Sequence, residues 1–317
     1  MPGTRHVILA LNPLLPPEMA RLEERFNVVR LYNEPDPEAT LQTVRTDVVG
    51  IVSAATGKGV RRTLMEAMPN LEIISQFGVG TDNIDLEAAS ERKIAVTNTP
   101  DVLTDDTADV AVSLVLALSR RICEADMFVR VGKWSSGARF PLGVTLKGKT
   151  AGIVGLGRIG KAIAKRLVAF DMRIAYHGRK QKADLAWPYY ADLEKLAEVS
   201  DYLICAVPGG PDTYHMVNER VLSALGPKGY FVNIARGSIV DQDTLVSALT
   251  NQTIAGAGLD VYANEPQVPD ALKGMDNVVL LPHIGSATVE TRTIMGEIVL
   301  ANLEAHFSGK PLITPVV

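Results

Sequence analysis

Four polar side chains stand late in this chain, each at or just beyond the end of an apolar run. Arg236 lies in Val232-Asn-Ile-Ala-Arg-Gly-Ser238, and Asp260 and Glu265 lie in Gly256-Ala-Gly-Leu-Asp-Val-Tyr-Ala-Asn-Glu-Pro266. His283 lies in Leu281-Pro-His-Ile-Gly-Ser-Ala-Thr288. In an open α/β sheet, ligands bind at the carboxyl ends of strands, so the four are expected to converge on one crevice. Their types suit hydride transfer to a carbonyl that sits beside a carboxylate. An arginine offers a fork of donors to the carboxylate and polarises the carbonyl. A histidine can give a proton to the carbonyl oxygen as hydride reaches its carbon. A free imidazole has a pKa of about 6.5, so a partner must keep it charged near neutrality. Glu265 is the candidate partner, and Asp260 is placed to hold a nicotinamide ring or its carboxamide. Singly, each has an ordinary explanation: a structural histidine, an aspartate cap, a turn at Glu265-Pro266. As a set following a nucleotide fingerprint they read as a site.

That fingerprint is Gly155-Leu-Gly-Arg-Ile-Gly160. A buried-strand pattern, Thr150-Ala-Gly-Ile-Val154, precedes it, and an amphipathic helical pattern from Ile159 to Phe170 follows. The first glycine makes the tight turn, the second lets backbone approach a pyrophosphate, and the third lets helix and strand pack closely. A second strand, Arg173-Ile-Ala-Tyr-His177, leads to Gly178-Arg179-Lys180, and the next acid is Asp184. An acid at this point would bind the ribose 2′-hydroxyl and repel a 2′-phosphate, whereas two cations attract the phosphate. The expected cofactor is therefore NADPH, with NADH weaker.

The chain that must position these residues has 317 of them, about twice a typical domain, which predicts two domains. Hydrophobic residues make up 47% and charged residues 21%, enough for a sizeable core, and the net charge is −4. No basic run, zinc spacing or arginine/aromatic patch points to nucleic acid or to a metal. The two cysteines, Cys123 and Cys205, lie far apart, and Cys205 sits inside an apolar run. A reducing, cytoplasmic setting is expected. The apolar run Val7 to Leu11 is cut short by Asn12-Pro13, and no run approaches the roughly 18 apolar residues of a membrane helix.

Alternating strand and helix patterns fill the first third: strands near 7–11, 27–32, 48–52, 71–75 and 94–97, helices near 17–25, 36–44, 61–67 and 87–93. Such units mean a parallel sheet covered on both faces. A long helix is predicted after Thr104-Asp-Asp106, apolar nearly all round through Val110 to Leu118 and therefore buried. Six further strands follow, near 150–154, 173–177, 202–207, 230–234, 254–259 and 278–280, matching a doubly wound sheet. A last helix, Glu290 to Phe307, stops at Gly309 with Pro311 beyond.

The Gly-Leu-Gly-Arg-Ile-Gly turn, Asn-Ile-Ala-Arg-Gly, Gly-Leu-Asp-Val…Glu-Pro and Leu-Pro-His occur here in the order of one family. The sequence resembles the D-isomer-specific 2-hydroxyacid dehydrogenases over essentially its whole length. Within them it is most similar to the NADPH-dependent glyoxylate/hydroxypyruvate reductases and the plant hydroxyphenylpyruvate reductases. Val96-Thr-Asn-Thr-Pro-Asp-Val-Leu-Thr-Asp-Asp106 and Asn302 to Pro311 are nearly verbatim in those proteins.

The resemblance implies an α/β fold of two doubly wound parallel-sheet domains. A Rossmann nucleotide domain, residues 99–285, is inserted in a flavodoxin-like substrate domain, residues 1–98 plus 286–317. It implies that Arg236, Glu265 and His283 are the catalytic set. Val79 and Gly80, in the loop Phe77-Gly-Val-Gly80, would offer backbone N–H groups to the substrate carboxylate, beside Arg236 and His283. Cofactor contacts are expected from Gly155, Leu156, Gly157, Arg158, Ile159 and Gly160, from Gly178, Arg179 and Lys180, and from Val207, Pro208, Ile234, Ala235, Asp260 and Gly285. Trp134, in the polar stretch Gly132-Lys-Trp-Ser-Ser-Gly137, would reach the substrate pocket of the neighbouring subunit of a homodimer. The activity implied is reduction of small 2-oxo acids, glyoxylate and hydroxypyruvate, to 2-hydroxy acids, glycolate and D-glycerate. Reduction of aryl pyruvates is the alternative, since Ser53-Ala-Ala-Thr56 leaves room for bulk. A nucleotide-sensing regulator like the corepressors that resemble this family is the reading from a different class. A formate dehydrogenase is disfavoured, because that relative carries Gln where Glu265 stands.

Overall fold

The computed structural model describes residues 5–57 and 59–317; positions 1–4 and 58 of the predicted substrate domain lie outside the described residues. The chain divides into two compact units, one of Met1–Leu103 with Thr288–Val317 and one of Thr104–Ala287.

The first unit runs β1 (Val7–Ala10), α1 (Pro16–Arg25), β2 (Asn27–Arg30), α2 (Pro37–Val44), β3 (Val48–Ala54), α3 (Arg62–Ala67), β4 (Ile73–Phe77), α4 (Leu86–Glu91) and β5 (Ala95–Thr97). Its five strands are all parallel, in the order β2-β1-β3-β4-β5, the flavodoxin-like order. Strand alternation sends Leu9, Ile51 and Ile74 to one face and Ile8, Val52 and Ile73 to the other. The first face is closed by Met65, Ala88 and Ala89, from α3 and α4. The second is closed by Met19 and Leu22 of α1 and by Val299, Leu300 and Leu303 of the C-terminal helix. The last residues of the chain finish the sheet. Val96 N–H donates to Val317 O at 3.0 Å and Val316 N–H to Val96 O at 2.7 Å, and an antiparallel bridge joins Thr97 to Pro315.

The second unit runs α5 (Thr104–Arg120), α6 (Ile122–Arg130), β6 (Thr150–Val154), α7 (Arg158–Val168), β7 (Arg173–His177), β8 (Tyr189–Tyr190), α8 (Leu193–Glu198), β9 (Tyr202–Cys205), α9 (Glu219–Leu225), β10 (Tyr230–Asn233), α10 (Gln242–Thr250), β11 (Gly256–Leu259), α11 (Asp270–Lys273) and β12 (Val278–Leu280). The chain then returns to the first unit with α12 (Val289–Phe307). The sheet is again all parallel, in the order β12-β11-β10-β9-β6-β7-β8. Two doubly wound parallel sheets are thus present, as the sequence predicts.

The order of the second sheet reverses at β6, whose neighbours are β7 and β9, and a crevice opens at the carboxyl ends of such a pair. The fingerprint turn leaves β6 at that point. One face is packed by α8, α9 and α10, the other by α5 and α7. Gly258 on β11 is the notch for α5: a Cβ there would lie 3.0 Å from Leu114 Cβ. Arg166 of α7 ties the two helices by bonding Asp105 at 2.9 Å and Asp109 at 2.5 Å.

The structure adds β8 and α6 to the sequence reading and shifts several boundaries, β4 to Ile73–Phe77 from 71–75 among them. β8 is a seventh strand of only two residues, too short for a periodic signal. The α6 helix follows Arg121, which takes a left-handed backbone (φ 52°), and it leaves Ile122, Met127 and Val129 exposed. The α5 helix begins at Thr104 itself, so Asp105 and Asp106 lie in its first turn, where the helix dipole favours acids.

Candidate active site

The turn after β10 is set by Asn233. Its Oδ1 accepts the Ala235 N–H at 3.1 Å and its Nδ2 donates to Arg236 O at 2.8 Å. Arg236 leaves this turn half-buried with an extended backbone, and its Nη1 donates to Ala235 O at 2.7 Å. Gly237 comes next, where a Cβ would fall 1.9 Å from the Tyr262 carbonyl carbon. The turn after β10 therefore lies directly against the loop after β11.

That loop carries Glu265. Its Oε1 accepts the Tyr262 N–H at 3.0 Å, and its Oε2 lies 2.8 Å from His283 Nδ1. Tyr262 fastens the loop to the next strand end by donating its hydroxyl to Leu281 O at 2.9 Å. Burial alone would raise the Glu265 carboxyl, but the His283 ring, the Tyr262 amide and the Arg236 guanidinium overcome it and hold the pKa below the usual value. An ionised carboxylate only accepts, so His283 Nδ1 carries a proton and Nε2 is the ring atom left to exchange one with a ligand.

His283 sits after β12 in a left-handed conformation (φ 54°), uncommon for a residue with a side chain. Asp260 holds that conformation. Its two carboxylate oxygens accept the N–H groups of Ile284 at 2.7 Å and Gly285 at 2.9 Å, while Thr107 Oγ1 donates to Gly285 O at 3.0 Å. Burial pushes the Asp260 carboxyl up, opposed by the two amides and by His283. Three of the four residues singled out in the sequence, Arg236, Glu265 and His283, are thus linked by charge and hydrogen bonds. The fourth, Asp260, braces the histidine turn and keeps spare lone pairs on both oxygens. Tyr262, Asn233 and Thr107 were not singled out. They act through backbone groups that only the folded loops bring near, though Asn233 and Tyr262 lie inside the segments already marked.

Each fingerprint glycine occupies a different environment. Gly155 has a left-handed backbone (φ 96°), and a Cβ there would lie 2.6 Å from Val207 Cγ1. Around Gly157, the N-cap of α7, a Cβ would meet nothing within 4 Å. At Gly160 it would lie 2.1 Å from Gly155 O. A pyrophosphate fits this cradle: open backbone at the middle glycine, facing a helix N-terminus. Val207 and Pro208 leave β9 beside it, and Ile234 and Ala235 are buried at the end of β10.

Beyond β7, Gly178 O accepts the Tyr189 hydroxyl at 3.0 Å, and Tyr190 O lies 3.0 Å from His177 Nδ1. The two tyrosines of β8 thus fix the start of the loop from which Arg179 and Lys180 project into solvent. Asp184, the next acid, is engaged 3.5 Å from Lys161 Nζ.

Val79 and Gly80 belong to the first unit, in the turn after β4. Gly78 there has φ 141°, and a Cβ would lie 2.6 Å from Ala55 Cβ. Trp134 is 68% exposed. No helix among the described residues is long and apolar enough to cross a membrane.

Residues 112–285 match the family model described as D-isomer specific 2-hydroxyacid dehydrogenase, NAD binding domain. With that match and the relatives below, the chain belongs to the D-isomer specific 2-hydroxyacid dehydrogenases, as its motifs indicate, and is an oxidoreductase with an NAD-binding domain. Glyoxylate/hydroxypyruvate reductase A of Arabidopsis thaliana is 51% identical over 296 residues, 93% of this chain and 94% of that one. Hydroxyphenylpyruvate reductase of Plectranthus scutellarioides is 49% identical over the same shares. Among solved structures, the NADPH-dependent glyoxylate/hydroxypyruvate reductase of Sinorhizobium meliloti in complex with NADP and malonate superposes with a TM-score of 0.90 at 46% identity. That likeness covers 99% of this chain and 97% of the other.

Proposed function

We propose that this chain reduces small 2-oxo acids, glyoxylate and hydroxypyruvate, to glycolate and D-glycerate, with NADPH as reductant. The observation that carries the reading is the 2.8 Å contact between His283 Nδ1 and Glu265. It leaves Nε2 as the ring atom available to exchange a proton, on a histidine whose carboxylate partner also feels the Arg236 guanidinium. Relatives at 51% and 46% identity named for the same two substrates support it.

A nicotinamide cofactor, when bound, would supply the hydride. Arg236 grips the carboxylate and draws electron density from the carbonyl. His283 delivers a proton from Nε2 to the carbonyl oxygen, and Glu265 stabilises the charged ring before that transfer. Asp260 keeps the His283 turn in its left-handed form and has lone pairs for a carboxamide. In the first unit, the substrate domain of this reading, the amides of Val79 and Gly80 hold the substrate's carboxylate. In the second, Gly155 to Gly160 take the pyrophosphate. The exposed Arg179 and Lys180 take the 2′-phosphate, supported by the absence of an acid at that point. Trp134 acts from a second copy in a homodimer. The exposed apolar residues that flank it in sequence, Ile122, Met127, Val129, Val131 and Leu142, are side chains that a second copy would cover. Free Cys123 and Cys205 fit a cytoplasmic setting.

A panel of glyoxylate, hydroxypyruvate, pyruvate and phenylpyruvate, each with NADPH and NADH, tests the reading through loss of reduced-nicotinamide absorbance. Highest kcat/KM for glyoxylate or hydroxypyruvate with NADPH is expected. Preference for phenylpyruvate would move the assignment to the aryl pyruvates, and no turnover of any of the four would leave a nucleotide sensor.

A further inference from the structure

The carbonyls of the loop after β4 are held by one backbone amide and two side chains. Gly78 O accepts the Thr99 N–H at 3.0 Å, Val79 O accepts Asn98 Nδ2 at 2.9 Å, and Gly80 O accepts Gln76 Nε2 at 3.0 Å. Three successive carbonyls are therefore bound. A trans peptide sets its N–H opposite its C=O, so each bond fixes the direction of the amide that follows. The N–H groups of Val79 and Gly80 point away from these partners and make no hydrogen bond among the described residues.

Gln76 is the centre of this arrangement. It is fully buried, and all of its hydrogen-bonding groups are in use. Its second N–H donates to Asn83 Oδ1 at 2.8 Å, and its oxygen accepts the Ser53 hydroxyl. Asn83 Nδ2 in turn donates to Ala54 O at 2.8 Å, at the end of the neighbouring strand. One side chain thus ties the loop after β4 to the end of β3. A buried amide with every donor and acceptor met is rigid, and leaving one unmet is costly.

We infer that Gln76 and Asn98 are positioning residues for substrate: Thr99 and Asn98 orient the Val79 and Gly80 amides through the carbonyls of Gly78 and Val79, and Gln76 fixes the Gly80–Thr81 peptide just beyond them, so that the loop presents those amides to a carboxylate. The inference rests on the assignment of those amides to the substrate carboxylate. Preorganised donors bind a carboxylate without first having to be ordered. Gln76 is enclosed, so it acts on substrate only through the groups it holds: the loop after β4 and, by way of Ser53 and Asn83, the end of β3.

The test uses the full-length protein and oxamate, a non-reducible analogue of a 2-oxo acid. Oxamate binding is measured by calorimetry at saturating NADPH, and the KM and kcat for glyoxylate are measured alongside. Gln76→Glu keeps the shape and removes both donors. It is expected to weaken oxamate binding and raise the KM for glyoxylate by about 10-fold or more, the worth of one charge-assisted hydrogen bond. The fall in kcat should be smaller, and the dissociation constant of NADPH should stay within about twofold, since a lost carboxylate contact is read in KM. Asn98 is only half-buried, so Asn98→Ala provides a second variant should Gln76→Glu fail to fold, with the same expected pattern. Unchanged oxamate binding in a folded Gln76→Glu protein, or in Asn98→Ala where the first does not fold, would overturn the inference. So would wild-type protein that binds no oxamate. Wild-type protein that binds oxamate but turns over no 2-oxo acid would sink the proposed function and leave the positioning role standing.

Discussion

His283 and Glu265 are the residues on which the proposed chemistry turns, and two substitutions separate their roles. His283→Ala is expected to lower kcat by about 10²–10⁴-fold, the usual worth of a positioned general acid, with NADPH affinity retained. Reduction consumes a proton held by the His283–Glu265 pair, so its rate should fall as pH rises through the apparent pKa of that pair. Glu265→Gln preserves the shape and removes the charge that favours the protonated ring. The alkaline limb should then move to lower pH, which rate profiles from acid to alkaline pH will show; an unmoved limb would remove Glu265 from the mechanism. Stability carries the opposite sign. The Glu265 carboxyl is held below its usual 4.5, so its stabilising effect is present above that value and is lost as pH falls through the lowered pKa. Melting curves of wild type and Glu265→Gln should therefore converge on acidification. At the adenosine end, Arg179→Ala should raise the KM for NADPH by roughly 10- to 150-fold and leave that for NADH nearly unchanged. Equal losses with both cofactors would break the link to the 2′-phosphate.

The fingerprint turn shows what an element demands of its sequence, and its glycines are not interchangeable. Gly160→Ala would drive a methyl group to 2.1 Å from a backbone oxygen, so α7 must shift away from β6. Such overpacking costs about 1–3 kcal/mol, readable in a urea titration, and cofactor binding should suffer with it. Gly157→Ala meets only open space and should leave stability within about 0.5 kcal/mol while weakening the nucleotide, because a methyl group would occupy the approach to the pyrophosphate. Such turns are legible in a sequence because glycine spacing, apolar runs and capping residues are local. The eleven longer strands and most of the helices were legible for that reason, as were Arg236, Glu265 and His283 as strand-end polar residues. What was not legible depends on distant contact. Pairing of β8 needs Tyr176 and His177 already in place. The α6 helix has no apolar face turned to its own core. Asp260 could be marked as a polar strand end, yet its grip on Ile284 and Gly285 requires the return of the chain 24 residues later.

At the scale of the whole molecule, the prediction concerns a second copy. Trp134 lies in a stretch of sequence, Ile122 to Leu142, where several large apolar side chains are exposed, as a second copy would cover. Sedimentation should give a dimer, and Trp134→Ala should reduce turnover more than it reduces NADPH affinity. Mixing Trp134→Ala subunits with Arg236→Ala subunits gives the sharper answer. If each site borrows a Trp134 from its neighbour, one site of the mixed dimer has both defects and the other has neither, so activity is partly restored. No recovery after confirmed subunit exchange would place Trp134 on its own core.

The strip Thr314 to Val317, hydrogen-bonded along β5, has a further consequence for how the protein behaves in concentrated solution. An uncovered border strand offers unpaired amides and carbonyls to any passing chain, and proline within the covering strip discourages further additions. Those last four residues therefore act as a selvedge, the finished edge that keeps a cloth from unravelling into its neighbours. Removing them should leave the second unit's nucleotide affinity intact and yet produce concentration-dependent association, visible by light scattering.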